Sequence, residues 1–245
     1  MRIGIISDIH ANDVALETVL QAMGPVDRLW CLGDVVGYGP NPNETVARLL
    51  LQPSLEICLT GNHDWAALGK IDLNDFNPEA RQAALWTREQ LTKDSKQFLQ
   101  DRPEQVVRDA EFTLAHGSPR QPVWEYITST AVARANFDHF TTSICLVGHT
   151  HVPAIYFTDS QGIVRSQTPL EDAPLNLRDG SRFIINPGSV GQPRDNDPRA
   201  AYALLDSDSG MLTFHRVAYD IALTQQRMFE AGLPARLILR LNYGW

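Results

Sequence analysis

Five short polar clusters, each directly after an apolar run, constrain the fold of this chain more than any other feature. The first three apolar runs alternate with helical patterns, an order typical of a parallel sheet with crossover helices. Ligand-binding side chains collect outside the carboxyl ends of the strands in such sheets. The sequence therefore predicts an α/β fold with a ligand site built from the clusters. They are Asp8-Ile9-His10, Gly33-Asp34, Gly61-Asn62-His63-Asp64, His116-Gly117 and Gly148-His149-Thr150-His151.

The apolar runs also set the expected element boundaries. Strands are expected over residues 2–7, 27–32 and 55–59, with helices at about 13–23 and 43–51 between them. Residues 65–101 are mainly helical in pattern and are interpreted as a cap-like insertion in a single domain that spans residues 1–245. After residue 151 the pattern changes to pairs of strands, and turn-forming residues at 159–162 and 206–210 predict two hairpins.

Composition excludes several classes of function. Hydrophobic residues make up 43% and charged residues 20% of the 245, which is ordinary for a soluble globular protein. The net charge of −8 argues against an extended nucleic-acid-binding surface, which needs clustered Lys and Arg, but it allows a small phosphate-bearing substrate. No apolar run reaches the length of a membrane span.

Cysteine usage and the ends of the chain bear on location and assembly. The cysteines Cys31, Cys58 and Cys145 each sit inside an apolar run, so they are expected to be buried, reduced thiols of a cytoplasmic protein. An aspartate at position 8 comes too early for a signal peptide. The apolar tail that ends in Tyr243-Gly244-Trp245 leaves a homo-oligomer open.

The residue types in the clusters indicate a metal site. If the backbone stays extended, residues at i and i+2 can converge on one point, which applies to Asp8 with His10 and to His149 with His151. Imidazole and carboxylate ligands suit Mn, Fe, Zn or Ni better than Mg or Ca alone. The remaining histidines, His139 and His215, are interpreted as ordinary structural residues.

The number of candidate ligands points to two ions, because seven is too many for one tetrahedral zinc and suits two metals if one carboxylate bridges them. Two ions about 3.5–4 Å apart can clamp the attacking and leaving oxygens of a displacement at phosphorus. Two divalent ions carry four positive charges, and two aspartates with one bridging hydroxide would neutralise three of them. The remaining positive charge favours a phosphate ester as the substrate. The seven candidates are Asp8, His10, Asp34, Asn62, His116, His149 and His151.

Taken in order, the motifs Asp-x-His, Gly-Asp, Gly-Asn-His-Asp, His-Gly and Gly-His-Thr-His resemble those of the calcineurin-like metallophosphoesterase superfamily. The segment 186–194 is similar to one typical of its small bacterial branch. The resemblance implies an αββα sandwich of two mixed β-sheets flanked by helices. It also implies a metal-dependent hydrolase that cleaves a phosphomonoester or phosphodiester by in-line attack of a metal-bridging hydroxide. Two divalent transition-metal ions are expected, with Mn favoured.

The resemblance assigns a role to each motif residue. Asp34 would bridge the ions, and His63 would face the scissile phosphate, stabilise its charge and protonate the leaving oxygen. The first ion would be held by Asp8, His10 and His151, and the second by Asn62, His116 and His149. For Asp64 two interpretations stay open, a partner of a ligand or of His63, and a role at a helix N-terminus.

The chain departs from the family pattern at one element. Protein serine/threonine phosphatases of the superfamily carry Asp-Arg-Gly where this chain has Gly37, Tyr38 and Gly39, so a protein-phosphatase function is in doubt. The phosphate is instead expected to meet Arg120, Arg194 or peptide N–H groups around Gly188. Tyr38 either lines the pocket or packs under its loop.

Other functions remain open at this point. A phosphoprotein phosphatase and a dinucleoside polyphosphate hydrolase are alternatives within the same chemistry. The family resemblance implies a third alternative, an inactive binding scaffold that has lost its metals. Every predicted ligand position and His63 hold a competent residue, which argues against the scaffold.

Overall fold

The computed structural model describes residues 1–74 and 76–245. Its first half contains β1 Arg2–Ile6, α1 Asp13–Met23, β2 Arg28–Cys31, α2 Pro42–Leu50, β3 Leu55–Cys58, α3 Asn62–Leu68, α4 Pro78–Gln90, α5 Lys93–Gln100, β4 Gln105–Arg108 and β5 Phe112–Ala115. Its second half contains α6 Thr130–Phe137, β6 Ile144–Leu146, β7 Ala154–Thr158, β8 Val164–Gln167, β9 Leu175–Asn176, β10 Phe183–Asn186, β11 Ala200–Asp206, β12 Met211–Val217, α7 Ile221–Glu230 and α8 Ala235–Arg240.

The strands form two six-stranded mixed sheets. The first has the order β3-β2-β1-β11-β12-β9, with β1, β2 and β3 parallel and the other pairs antiparallel. The second has the order β4-β5-β6-β10-β7-β8, with a parallel centre of β5, β6 and β10. Helices flank both sheets, so the predicted αββα sandwich is confirmed.

Strand β1 shows how the layers form. Ile3 and Ile5 point into the space between the sheets, where they join an apolar cluster that includes Phe112 of β5. Ile6 points the other way and packs with Leu16 of α1. A strand buried on both faces reads as a continuous apolar run, which is why this segment lacks alternation.

Strand register brings the polar clusters together. Ile6 of β1 pairs with Cys31 of β2, which in turn pairs with Cys58 of β3, so the three strands end side by side. In the second sheet Leu114 of β5 pairs with Leu146 of β6. The loops that follow all five strands therefore open at the same edge of the sandwich.

Local signals explain most element boundaries. The Asn12 side chain accepts a hydrogen bond from the N–H of Ala15 and caps α1, and Gly24 ends this helix at a φ of 66°. Strand β9 was not expected, because two residues carry no periodicity. Residues 65–101 contain the last part of α3 and all of α4 and α5, as expected from the helical pattern. The function of this segment as a cap stays a prediction. Within the described ranges no helix is both long and apolar enough to span a membrane.

Candidate metal centre

Carboxylates and imidazoles gather in two adjoining groups at the common edge of the sheets. Asp34 belongs to both groups, and the potential ligand atoms within each lie no more than 4.8 Å apart. All of these side chains are buried. The first group is Asp8, His10, Asp34 and His151, and the second is Asp34, His116 and His149.

Hydrogen bonds to the backbone set the direction of each imidazole lone pair. The Nδ1 atoms of His10, His116 and His151 face carbonyl oxygens at 3.3, 2.9 and 2.7 Å. A nitrogen that faces a carbonyl must carry the proton, so in each neutral ring Nε2 holds the lone pair. The Nε2 atoms of His10 and His151 lie only 3.1 Å apart. Two lone pairs at this distance repel each other unless a cation lies between them.

His149 has the opposite orientation. Its Nε2 faces the carbonyl oxygen of Trp124 at 3.2 Å, which leaves Nδ1 as the ligand atom. The ring of Tyr126 stacks on it at a centroid distance of 3.8 Å. Such partners of a metal-binding histidine fix its tautomer and orientation.

Three buried polar atoms of the site make no hydrogen bond to any described residue: Asp34 Oδ2, Asn62 Oδ1 and His116 Nε2. Asp34 Oδ1, by contrast, accepts from the backbone N–H of His63 at 2.8 Å. The free Oδ2 lies 3.3 Å from His116 Nε2 and 3.6 Å from His10 Nε2. Burying polar atoms without partners is costly, and a set of oxygen and imidazole donors without partners fits divalent transition metals.

The buried carboxylates and imidazoles of the site shift one another's pKa values. Burial raises the pKa of Asp8 to about 6. Burial acts on Asp34 in the same direction, but the charges of His116 and His63 hold its pKa well below the ordinary value. Burial would lower the pKa of His116, yet the Asp34 carboxylate raises it to about 10. An acidic Asp34 and a proton held on His116 mean that metal binding there would release a proton.

The backbone around these residues is not extended. Asp8, His10 and Asp34 have φ values of 54°, 51° and 50°, and His149 and His151 have 65° and 61°. The assumption of an extended backbone was therefore wrong. Asp8 and His10 still enter one group, whereas His149 and His151 enter different groups. Left-handed conformations in non-glycine residues are strained and cluster at functional sites.

Gly61 is needed for space rather than for a turn. Its φ is −119°, which any residue can adopt. A Cβ at this position would lie 2.1 Å from Asp34 Oδ1. Asp64 accepts hydrogen bonds from the N–H groups of Gly61 and Val36, each at 3.0 Å. Of the two roles expected for Asp64, these contacts support the one at the N-terminus of α3.

His63 lies beside the two groups without belonging to either. Its ring centroid is 5.0 Å from that of His10 and 4.2 Å from that of Tyr38. Burial lowers its pKa to about 4, and its Nδ1 has no hydrogen-bond partner in the described part of the chain. The imidazole is therefore neutral and has a ring nitrogen available next to the cluster of carboxylates and imidazoles.

A cavity of about 900 Å³ adjoins the cluster. Tyr38 and Tyr126, whose rings pack against His10 and His149, line it together with Arg194. Tyr38 lines the cavity and is also buried in an apolar cluster with Met228 and Leu237, so both features expected as alternatives are present. Its contact with a substrate stays a prediction. Arg194 donates to Gln192 Oε1 at 2.9 Å and lies 3.5 Å from the Tyr38 hydroxyl. Sequence reasoning missed Tyr126, whose only signal was an aromatic pair, with Trp124, in the loop after His116.

The other predicted phosphate contacts are occupied by the protein itself. Arg120 forms an ion pair with Glu125, and its contact with a substrate stays a prediction. The N–H of Gly188 donates to Asn186 Oδ1 at 2.8 Å, and the N–H groups of Val190 and Gly191 donate to backbone carbonyls. These three peptide N–H groups are therefore already used within the chain, and a contact between phosphate and the peptide groups around Gly188 stays a prediction.

Comparison with known proteins adds independent information. The family description "Calcineurin-like phosphoesterase superfamily domain" matches residues 1–210. An uncharacterised protein of Methanocaldococcus jannaschii is 34% identical over 99% of this chain and 98% of its own length. A crystal structure of a metallophosphoesterase from Sphaerobacter thermophilus is 49% identical, covers 100% of this chain and 99% of that one, and gives a TM-score of 0.90. A hypothetical protein from Pyrococcus horikoshii shares the fold, with a TM-score of 0.81. It is 21% identical, and the match covers 100% of this chain and 98% of that one.

Proposed function

Because the chain belongs to the calcineurin-like phosphoesterase superfamily, we propose that it hydrolyses a small phosphomonoester or phosphodiester with two divalent metal ions. The chain is a metal-dependent phosphoric ester hydrolase. The number of ions, the roles of the residues and the substrate class are the proposed part.

The observation that carries the proposal is the division of the cluster into two groups that share Asp34. A carboxylate between two groups is suited to bridge two ions. The buried Asn62 Oδ1 and His116 Nε2, which lack partners among the described residues, supply two further donors on the side of the second group. In this assignment Asp8, His10, Asp34 and His151 would hold one ion, and Asp34, Asn62, His116 and His149 would hold the other.

When bound, two such ions acidify water and neutralise charge on the phosphate. The donor set mixes imidazole with carboxylate and amide oxygens, which favours transition metals, and Mn is the ion we favour. Five of the seven proposed donors are neutral, namely Asn62 and the four histidines. The site as a whole therefore stays positive and attracts a phosphate ester.

The protein's own residues provide positioning and proton transfer. His63 lies beside the cluster, and its Nδ1 has no hydrogen-bond partner among the described residues. The neutral ring would take up a proton from water and then donate it to the leaving oxygen. Arg194 lines the cavity with a fixed positive charge. Tyr38 packs against both His10 and His63 and lines the cavity.

We propose that the protein is cytoplasmic. All three cysteines are buried free thiols, which is in keeping with a cytoplasmic protein. We propose a single domain, and the exposed Tyr243 and Trp245 leave contact between two copies of the chain open.

Metal analysis combined with an activity panel tests the proposed function. Protein stripped with a chelator and reloaded with Mn should bind close to two ions per chain. The reloaded protein should hydrolyse methyl 4-nitrophenyl phosphate or 4-nitrophenyl phosphate, while the stripped protein should not. Reloaded protein that binds no metal, or that binds two ions and hydrolyses neither ester, would contradict the proposal.

A further inference from the structure

The cavity that adjoins the cluster is closed on one side by the last part of the chain. Leu237 and Arg240 of α8, followed by Tyr243 and Trp245, form this wall. The match to the family description ends at residue 210, so the wall lies outside the part of the chain that defines the family. Its residues are therefore suited to determine which phosphate ester enters.

Positive charge collects in the cavity although the chain is acidic overall. Three arginines but one glutamate are found among the described lining residues, whereas the whole chain has a net charge of −8. Arg236 lies 3.6 Å from Glu79, which balances its charge. Arg194 and Arg240 have no acidic side chain as a partner among the described residues: Arg194 donates to Gln192 Oε1, and Arg240 Nε donates to the main-chain oxygen of Trp245. Burial together with the charge of Arg194 lowers the pKa of Arg240 to about 10, so its side chain is still a cation at neutral pH. Two cations held near each other in this way favour a ligand with more than one negative charge.

Aromatic rings border the same cavity. Tyr243 and Trp245 stack on each other at a centroid distance of 4.7 Å, and 52% and 58% of their surfaces are exposed. Tyr126 lines the cavity at the metal cluster. Exposed aromatic rings next to arginines form the kind of platform on which nucleic-acid bases stack.

We infer that the cavity binds a nucleotide, a phosphate ester that carries a base and more than one phosphate. One phosphate would lie at the metal cluster, Arg194 and Arg240 would contact the next phosphate, and the base would stack on Tyr243 or Trp245. The volume of about 900 Å³ is within the range of pockets that enclose ligands of this size. The inference rests on the proposed function, because it names the substrate class of the same site.

A pair of chromogenic esters tests the aromatic wall. Thymidine 5′-(4-nitrophenyl phosphate) and methyl 4-nitrophenyl phosphate share a leaving group and differ in the nucleoside. In both reactions water adds to phosphorus and the P–O bond to the nitrophenyl group breaks. The products are 4-nitrophenolate and either thymidylate or methyl phosphate. The Mn-loaded protein should have a kcat/KM at least about tenfold higher for the thymidine ester, since one stacked base contributes about 1–3 kcal/mol.

Variants locate the origin of this preference. Trp245→Ala combined with Tyr243→Ala should reduce the ratio of the two kcat/KM values about tenfold. Phe229→Ala, which removes an aromatic ring that is 77% exposed on α7, should leave the ratio unchanged. A double variant that keeps the full preference would overturn the stacking part of the inference.

Competition tests the arginines. Adenosine 5′-diphosphate should inhibit hydrolysis of the methyl ester about tenfold more strongly than adenosine 5′-monophosphate at constant free Mn, and Arg240→Gln should abolish the difference. Arg165→Gln, which removes an exposed arginine on β8, is the control and should retain it. Equal inhibition by the two nucleotides in the parent protein would overturn the inference.

The two proposals fail in different ways. A protein that hydrolyses the methyl ester but shows no preference for the thymidine ester retains the proposed function and loses the nucleotide inference. A protein that binds Mn and hydrolyses neither ester loses both.

Discussion

Two carboxylates, the buried Asp34 and the partly buried Glu125, have opposite environments. Every partner of Glu125 is a donor: its Oε2 accepts from Ser118 Oγ at 2.8 Å, Asn136 Nδ2 at 2.7 Å and Arg120 Nε at 3.2 Å, and Arg120 also contacts Oε1. Asp34 has one such bond, from the His63 N–H, and its other oxygen faces histidine nitrogens without a hydrogen bond to the described residues.

The difference separates a structural network from a functional one. Around Glu125 the charges and hydrogen bonds are complete within the chain, so nothing further is needed to stabilise it. Around Asp34 the chain leaves donor atoms unused in a buried place, and only an added ligand can complete them. Substitutions at Asp34 should therefore act on metal binding and activity, and those at Glu125 on stability.

The largest expected effect comes from Asp34→Asn. Asparagine keeps the volume and the oxygen that accepts from His63, but removes the charge needed to bridge two ions. We expect metal content to fall to one ion per chain or fewer, and kcat/KM for a phosphodiester to fall about 10,000-fold, equivalent to about 5 kcal/mol. Elemental analysis and steady-state kinetics measure both.

A matched control for this substitution is Asp197→Asn. Asp197 is a carboxylate paired with Arg199, outside both groups of the cluster. This variant should retain metal and activity. If Asp34→Asn bound as much metal as Asp197→Asn, the contrast between the two carboxylates would be lost.

His63→Ala should separate activity from metal binding. The ring lies beside the cluster but in neither group, so we expect unchanged metal content and a loss of about 100-fold to 10,000-fold in kcat, the range for removal of a general acid. His139→Ala, at an exposed histidine, should have no effect on either quantity. A normal rate for His63→Ala would show that the ring has no part in the reaction.

The five clusters and their order predicted an α/β fold with a site at the strand ends, and the family resemblance that they carry implied the αββα sandwich. Parallel strands such as β1 and β2 end side by side, so Asp8 and Asp34 are brought close by register alone. Sequence patterns could not give backbone conformation. Nothing in the types of His149 and His151 shows that their left-handed φ values direct them into different groups.

The surroundings of the site were harder to predict than the cluster itself. Arg120 and Arg194 look alike in sequence, yet Arg120 pairs with Glu125 and Arg194 lines the cavity. Tyr126 and Trp245 reach the same cavity from distant parts of the chain. Such contacts depend on tertiary packing, which has no periodic signal in the sequence.

Gly61→Ala tests how closely α3 supports Asp34. Because the added Cβ would lie 2.1 Å from Asp34 Oδ1 and 2.6 Å from its N, the carboxylate must move. We expect a loss of about 1–3 kcal/mol in the free energy of unfolding and about 10-fold to 100-fold in metal affinity. Urea unfolding and metal titration measure these effects.

Gly162→Ala separates crowding from backbone strain. Gly162 has a φ of +74° with no atom within 4 Å of an added Cβ, so the substitution costs about 1–2 kcal/mol of conformational energy without touching the cluster. Its metal affinity should equal that of the parent. Equal metal affinities for the two alanine variants would mean that Gly61 does not position Asp34.

The smallest effect is expected at Glu125, where Arg120 and then the other donors lower the pKa to about 2 from an ordinary 4.5. A carboxylate whose pKa is lower in the folded state than in the unfolded state stabilises the fold at pH values above its unfolded pKa. This contribution to stability is lost as the pH falls through 4.5 towards 2. Glu125→Gln should therefore lower the free energy of unfolding by about 1–2 kcal/mol at pH 7, allowing for solvent around Arg120. The difference should shrink at pH 3.5 while kcat/KM at pH 7 stays within about threefold. A difference independent of pH, or a large loss of activity with normal stability, would place Glu125 with Asp34 among the functional carboxylates.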